Sequence, residues 1–135
     1  MHNLYLSLGT NLGNRKANIR EAIQKIEEQV GVVVRQSALY ETKPWGFSSP
    51  NDFINACVKV STSLSPRQAL ATTQRIEREL GRTLKSENGV YHDRIIDIDI
   101  LLYDDLHIDE PDFHVPHPFM QERDFVMIPL KEILE

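Results

Sequence analysis

The chain has 135 residues, a formal net charge of −5 and a sequence pI of about 5.5, with 41% hydrophobic and 26% charged residues. That length supports one domain, residues 1–135, with a single core, and the acidic balance argues against a non-specific nucleic-acid binder, which carries a basic surplus. Cys57 is the one cysteine, so no intramolecular disulfide can form, and no apolar run approaches the ~20 residues of a membrane span; with no signal-peptide core at "MHNLYLSLGT", a cytoplasmic protein is expected.

Leu4, Leu6 and Leu8 share one face of a first strand, Tyr5 and Ser7 the other, and Gly9 is expected to end it. After the polar "GTNLGN", helical spacing of Ile19, Ala22, Ile23, Ile26 and Val30 predicts a helix from about Asn14 to Gln29, with Gly31 as its left-handed stop. Val32 to Tyr40 reads as a second strand, "KPWGFSSPND" as a loop, and Phe53 to Thr62 as a third strand. Ser65, Pro66 and Gln68 supply a capping box and a first-turn proline for a second helix, Ser65 to Leu80, closed by Gly81. A long polar loop, "RTLKSENGVYHDR", precedes a fourth strand from Ile95 to Tyr103. The tail holds a short hairpin and a terminal helix. The order β-α-β-β-α-β predicts an α+β, ferredoxin-like fold: a four-stranded antiparallel sheet with both helices on one face.

The informative stretch is "DRIIDIDILLYDD". Ile96, Ile98, Ile100 and Leu102 alternate with Asp97 and Asp99, so both carboxylates share the face that also carries Tyr5, Ser7, Phe53 and Asn55. Their Cα atoms should stand ~6.6 Å apart. Two like charges that close repel, and a divalent cation would offset them, Mg²⁺ being held by one or two carboxylates plus waters and phosphate oxygens. Solvated charges that blunt an edge strand explain the same pattern. Arg75, Arg78, Arg82 and Lys85 follow the second helix, Arg94 precedes Asp97, and Arg123 lies in the tail, a distribution suited to Mg²⁺ plus a polyphosphate. A solvated helix face explains Arg75 and Arg78 as well, and for Arg78 it is the better reading, since Glu77, Arg78 and Glu79 together read as an ordinary charged surface. Trp45 either packs back on the domain or meets a ligand. Phe53, Asn55 and Phe125 could form a slot that stacks a ring and reads its edge. Cys57 reads as a small core residue.

In this order and at these spacings, "LYLSLGTNLGN", "YETKPWG", "DFINACV", "TQRIERELGR", "DRIIDIDILLYDD" and "VPHPFMQERDFVMIPL" resemble 6-hydroxymethyl-7,8-dihydropterin pyrophosphokinases across nearly the whole chain. The resemblance implies transfer of the β,γ-pyrophosphoryl group of ATP to the pterin hydroxymethyl with release of AMP, in folate biosynthesis. It implies two Mg²⁺ ions on Asp97 and Asp99, and Arg82 and Arg94 stabilising the transferring group. Gln74, Glu77, Lys85, Arg94, Ile100, His117 and Arg123 would line the ATP site. Thr42, Pro44, Trp45, Phe53, Asn55, Tyr91 and Phe125 would hold the pterin, with "KPWGFSSPND" and "RTLKSENGVYHDR" closing over both substrates. Neighbouring folate-pathway enzymes would be its partners.

The chain departs from the family pattern at several points. His92-Asp93 replaces a small pair before Arg94, and Tyr91 stands for a familiar tryptophan. Leu84 replaces a loop arginine. Asp112 and His114 stand where relatives place an arginine and a threonine near the phosphates, Pro118 replaces a tyrosine, and the chain stops soon after "PLKEILE". These departures lead to an expectation of the same chemistry with weaker ATP binding. A different class remains open at this level, a ferredoxin-like module that binds a regulatory small molecule or RNA.

Overall fold

The central strand, β1 (His2–Thr10), sorts its side chains by alternation, and the rest of the molecule is arranged around its two faces. The computed structural model describes residues 1–43, 51–81 and 95–134. The further elements are α1 (Arg15–Gln29), β2 (Gly31–Gln36), β3 (Tyr40–Thr42), β4 (Phe53–Thr62), α2 (Pro66–Glu79), β5 (Asp97–Tyr103), β6 (Ile108–Glu110), β7 (Phe113–Val115) and α3 (Asp124–Ile133). The main sheet is antiparallel, in the order β2-β4-β1-β5, with β3 also pairing β4. A separate hairpin joins β6 and β7.

One face meets α1 and α2. Leu4, Leu6 and Leu8 are fully buried there with Ile19, Ala22, Ile26, Val58, Val60, Ala69 and Ile76, and each large side chain contributes about 1.5–3 kcal/mol by leaving water. α1 is capped by Asn14, whose side chain accepts from Ala17 N. α2 carries the expected capping box: Gln68 N donates to Ser65 Oγ at 3.2 Å and Ser65 N donates to Gln68 Oε1 at 2.8 Å. Gly81 takes the left-handed conformation after α2, with φ 97°.

Five details differ from the sequence-based expectation. β1 continues through Gly9 to Thr10. Gly31 is not a left-handed cap: it opens β2, where a Cβ would lie 2.1 Å from Ser61 O, so its lack of a side chain permits a close strand approach. The predicted second strand, Val32 to Tyr40, is split in two, making five strands in the sheet instead of four. Ser37 causes the break by imitating backbone: its N–H donates to Cys57 O, while its Oγ accepts from Cys57 N. Ala38 N then turns to Glu132 of α3. The fourth strand of the prediction begins at Asp97 and bulges at Leu101, where the pairing slips from Leu6–Ile100 to Tyr5–Leu102. Leu102 therefore leaves the α1/α2 face, and Tyr103 takes its place in that core.

The second face is half covered. α3 packs Val126, Leu130 and Ile133 on Tyr5, Cys57 and Leu101, a second apolar cluster. Burial pushes the Cys57 thiol up to about 12, as suits an inert core residue. The other half of this face, around Ser7, Gly9, Asn55, Asp97 and Asp99, lies beyond that cluster. No described helix is long and apolar enough to cross a membrane.

Candidate active site

Strand pairing builds the floor of the site. Asp97, Gly9, Asn55 and Tyr40 stand in one cross-strand row, and Asp99, Ser7 and Cys57 stand in the next. Gly9 thus lies between the carboxylate of Asp97 and the amide of Asn55. A Cβ at Gly9 would come within 3.2 Å of Asn55 Oδ1 and 3.6 Å of the Phe53 ring, so the missing side chain leaves a gap at the centre of the row. Asn55 is buried and donates from Nδ2 to Thr42 Oγ1 at 2.6 Å, which fixes the orientation of its amide. Thr42 is itself paired with Phe53. Thr42, Phe53 and Asn55 therefore stand together on β3 and β4; Phe125, the third residue expected in the ring-reading slot, stands on α3.

On the other side of Asp97 a cleft of about 400 Å³ opens along β5. It is lined by Gln74 and Glu77 of α2, by Asp97, Asp99 and Ile100 of β5, and by His117 and Arg123 of the tail. Every described residue expected at the nucleotide site lines this cleft. The two aspartates are half-exposed within it, and Ile98 and Ile100 turn into the core behind them.

Glu77 was expected to belong to a charged helix surface as well as to the ATP site. It is buried instead, and its Oε2 accepts from Ile98 N at 2.7 Å. Because β5 is the last strand of the sheet, this N–H points outward, and Glu77 satisfies a donor on the strand edge between the two aspartates. Arg75 follows the solvated-helix-face alternative. It reaches away to α1, donating from Nη2 to Gln29 Oε1 at 2.9 Å, and so leaves the cluster of cations around the carboxylate pair.

Among the described residues, the tail supplies a cation to the cleft. Arg123 is buried, with its guanidinium 5.8 Å from the centre of the Phe119 ring and 5.7 Å from that of Phe125. Phe125 stands at the start of α3, against this guanidinium. His117 is held by its backbone N–H, which donates to Leu101 O, the carbonyl that the β5 bulge presents. Burial, then the Arg123 cation, lowers the His117 pKa, against an opposing pull from Asp97. Its Nδ1 accepts from Phe119 N at 3.4 Å, which leaves Nε2 as the protonated nitrogen of the neutral ring.

Among the described residues no three His, Cys, Asp or Glu side chains converge as a closed metal site. The pair Asp97 and Asp99 offers a partial shell of hard oxygen ligands, which fits Mg²⁺ sharing its remaining positions with water and phosphate. Pro44, Trp45, Arg82, Lys85, Tyr91 and Arg94 lie outside the described residues. Gly9 is the member that sequence reasoning passed over. Its signal was the alternation itself, which places Gly9 beside Ser7 on the functional face; reading it as a strand end hid this.

The family model for 7,8-dihydro-6-hydroxymethylpterin-pyrophosphokinase matches residues 5–135. The chain is 50% identical over 131 residues to a 2-amino-4-hydroxy-6-hydroxymethyldihydropteridine pyrophosphokinase of Porphyromonas gingivalis, covering 96% of this chain and 89% of the relative. It is 43% identical over 133 residues to the protein of the same name from Aquifex aeolicus, covering 98% and 81%. Among solved structures, a Plasmodium falciparum HPPK-DHPS superposes with a TM-score of 0.79 at 18% identity, over 98% of this chain and 42% of that one, which shows a shared fold. By this sequence similarity and this fold, the chain belongs to the 7,8-dihydro-6-hydroxymethylpterin-pyrophosphokinase family.

Proposed function

We propose that the chain transfers pyrophosphate from ATP to the hydroxymethyl group of 6-hydroxymethyl-7,8-dihydropterin, as one domain spanning residues 1–135, in cytoplasmic folate biosynthesis. The observation that carries this reading is the single row in which Asp97 and Asn55 flank Gly9, joining a carboxylate-lined cleft to a ring-sized slot. In the transfer, the pterin hydroxyl oxygen bonds to the β-phosphorus of ATP, the bond from that phosphorus to the α,β-bridging oxygen breaks, and AMP leaves with that oxygen. The hydroxyl proton passes to solvent.

Each side chain has a defined share of the work. Asn55, oriented by Thr42, reads the polar edge of the pterin, and Phe53 and Phe125 stack its ring. Trp45, Pro44 and Tyr91 belong to the same pterin site in this reading. Gln74, Glu77, Lys85, Ile100, His117 and Arg123 hold the nucleotide, His117 as an Nε2–H donor and Arg123 as a fixed positive charge. Arg82 and Arg94 stabilise the charge of the transferring group. Asp97 and Asp99 would hold two Mg²⁺ ions, which when bound neutralise phosphate charge and lower the pKa of the hydroxyl they meet. No described side chain stands out as a general base, so positioning and charge neutralisation supply most of the barrier reduction.

The rival reading, a ferredoxin-like regulatory or RNA-binding module, finds no support. An RNA-binding sheet keeps its aromatic face free for bases, whereas α3 covers Tyr5 and its neighbours. Neighbouring enzymes of the folate pathway are the natural partners, given that the superposing structures are HPPK-DHPS proteins. The decisive assay combines the protein with ATP, Mg²⁺ and 6-hydroxymethyl-7,8-dihydropterin. AMP formed only when the pterin is present is the expected result; ADP, or no product, would sink the reading.

A further inference from the structure

Asp112, at the tip of the β6–β7 hairpin, lines the mouth of the cleft. Taken alone, its carboxylate has the wrong sign for a site that takes a polyphosphate. It does not stand alone. Arg67, in the first turn of α2, donates from Nη1 to Asp112 Oδ2 at 3.0 Å and from Nη2 to Asp112 Oδ1 at 2.8 Å. The same guanidinium pairs with Glu110 and lies 5.3 Å from the centre of the Phe113 ring. The planar fork of arginine matches a carboxylate in this two-bond geometry, which lysine could not reproduce.

The pair is exposed, its side chains 50% and 70% accessible, so it contributes little as a folding device. Its charge acts differently on a ligand. A nucleotide triphosphate carries several negative charges, and each interacts with any uncompensated carboxylate at the rim. We propose that Arg67 is a positioning residue for nucleotide binding: it acts through Asp112, offsetting that carboxylate's charge at the cleft mouth, so that the anionic substrate is admitted. The proposal rests on the cleft being the nucleotide site.

Arg67→Ala should raise the ATP KM and the ATP dissociation constant by on the order of threefold at low salt, with kcat and the pterin KM little changed. The effect should shrink as salt is raised, since screening weakens charge interactions of this kind. Asp112→Asn placed in the Arg67→Ala background should recover most of the ATP affinity, because it removes the uncovered charge that lines the cleft and leaves only Glu110, which does not line it. Asp112→Asn alone, which keeps every arginine, should tighten ATP binding. Arg20→Ala, on exposed helix surface in α1, controls for the change in net charge and should leave ATP affinity alone. An unchanged ATP affinity in Arg67→Ala, or a double variant no tighter than Arg67→Ala, would overturn the proposal. ATP titration calorimetry tests it independently of turnover, so a wild-type protein that forms no AMP would refute the proposed reaction without deciding the role of Arg67.

Discussion

Gly9 shows how one absent side chain can shape a binding surface. Its two strand neighbours, Asp97 and Asn55, stand on either side, and in the proposed reading the gap between them is the space that a flat ring enters. Valine suits a strand, but its Cβ would already stand 3.2 Å from Asn55 Oδ1, and its methyl groups would fill this gap against Asn55 and Phe53. Overpacking of this kind costs about 1–3 kcal/mol, so Gly9→Val should lower the melting temperature by a few degrees and, if a loss of the same size falls on the ring that uses the gap, raise the pterin KM by about fivefold to 150-fold, with the ATP KM nearly constant. Steady-state kinetics with each substrate varied in turn checks the split; equal losses for both substrates would contradict a pterin-specific gap. The two aspartates were legible from sequence because a period of two places neighbours on one face whatever the tertiary context. The burial of Glu77 was not, because a charge run such as "ERE" looks the same whether or not one member turns inward.

Among elements, the same contrast separates what local chemistry determines from what neighbours determine. The cap of α2 and its glycine stop need only the residues in the turn itself, and both are read correctly in advance. The break between β2 and β3, the bulge at Leu101 and the close approach at Gly31 depend on partner strands that are remote in sequence. The cover that α3 lays over half of the second face is likewise invisible until the tail is placed. β5 gives the functional consequence. Its exposed edge would leave Ile98 N unsatisfied, and Glu77 supplies the acceptor. Glu77→Ala removes that acceptor from a buried position, at a cost of about 1–3 kcal/mol, and frees the strand segment between Asp97 and Asp99. The urea midpoint should fall with little change in m, and kcat should fall with it. Glu77→Gln keeps an acceptor oxygen and should recover much of the stability. A Glu77→Ala protein as stable as the wild type would show that the edge needs no such partner.

At the scale of the whole molecule, the sheet separates stability from function. The α1/α2 face and the α3-covered half hold the apolar cores, while the remaining half collects Asp97, Asp99, Asn55 and Gly9 outside both clusters. Two adjacent carboxylates repel each other in the folded state, which agrees with the proposed reading of the pair as a ligand-binding device. Asp97→Asn and Asp99→Asn keep the size and shape of each side chain while removing one charge. Each should leave the unliganded melting temperature close to that of the wild type, yet abolish AMP formation. Ligand linkage provides a readout apart from turnover: a ligand at a hundred times its dissociation constant stabilises the native state by about 2.7 kcal/mol. In the wild type, Mg²⁺ added to ATP should raise the melting temperature beyond the effect of ATP alone. In either variant that extra increment should vanish, because the partial oxygen shell on β5 is broken. If both variants kept the Mg²⁺-dependent increment and near-normal turnover, the carboxylate pair would be an edge-strand charge device and the metal would have to bind elsewhere.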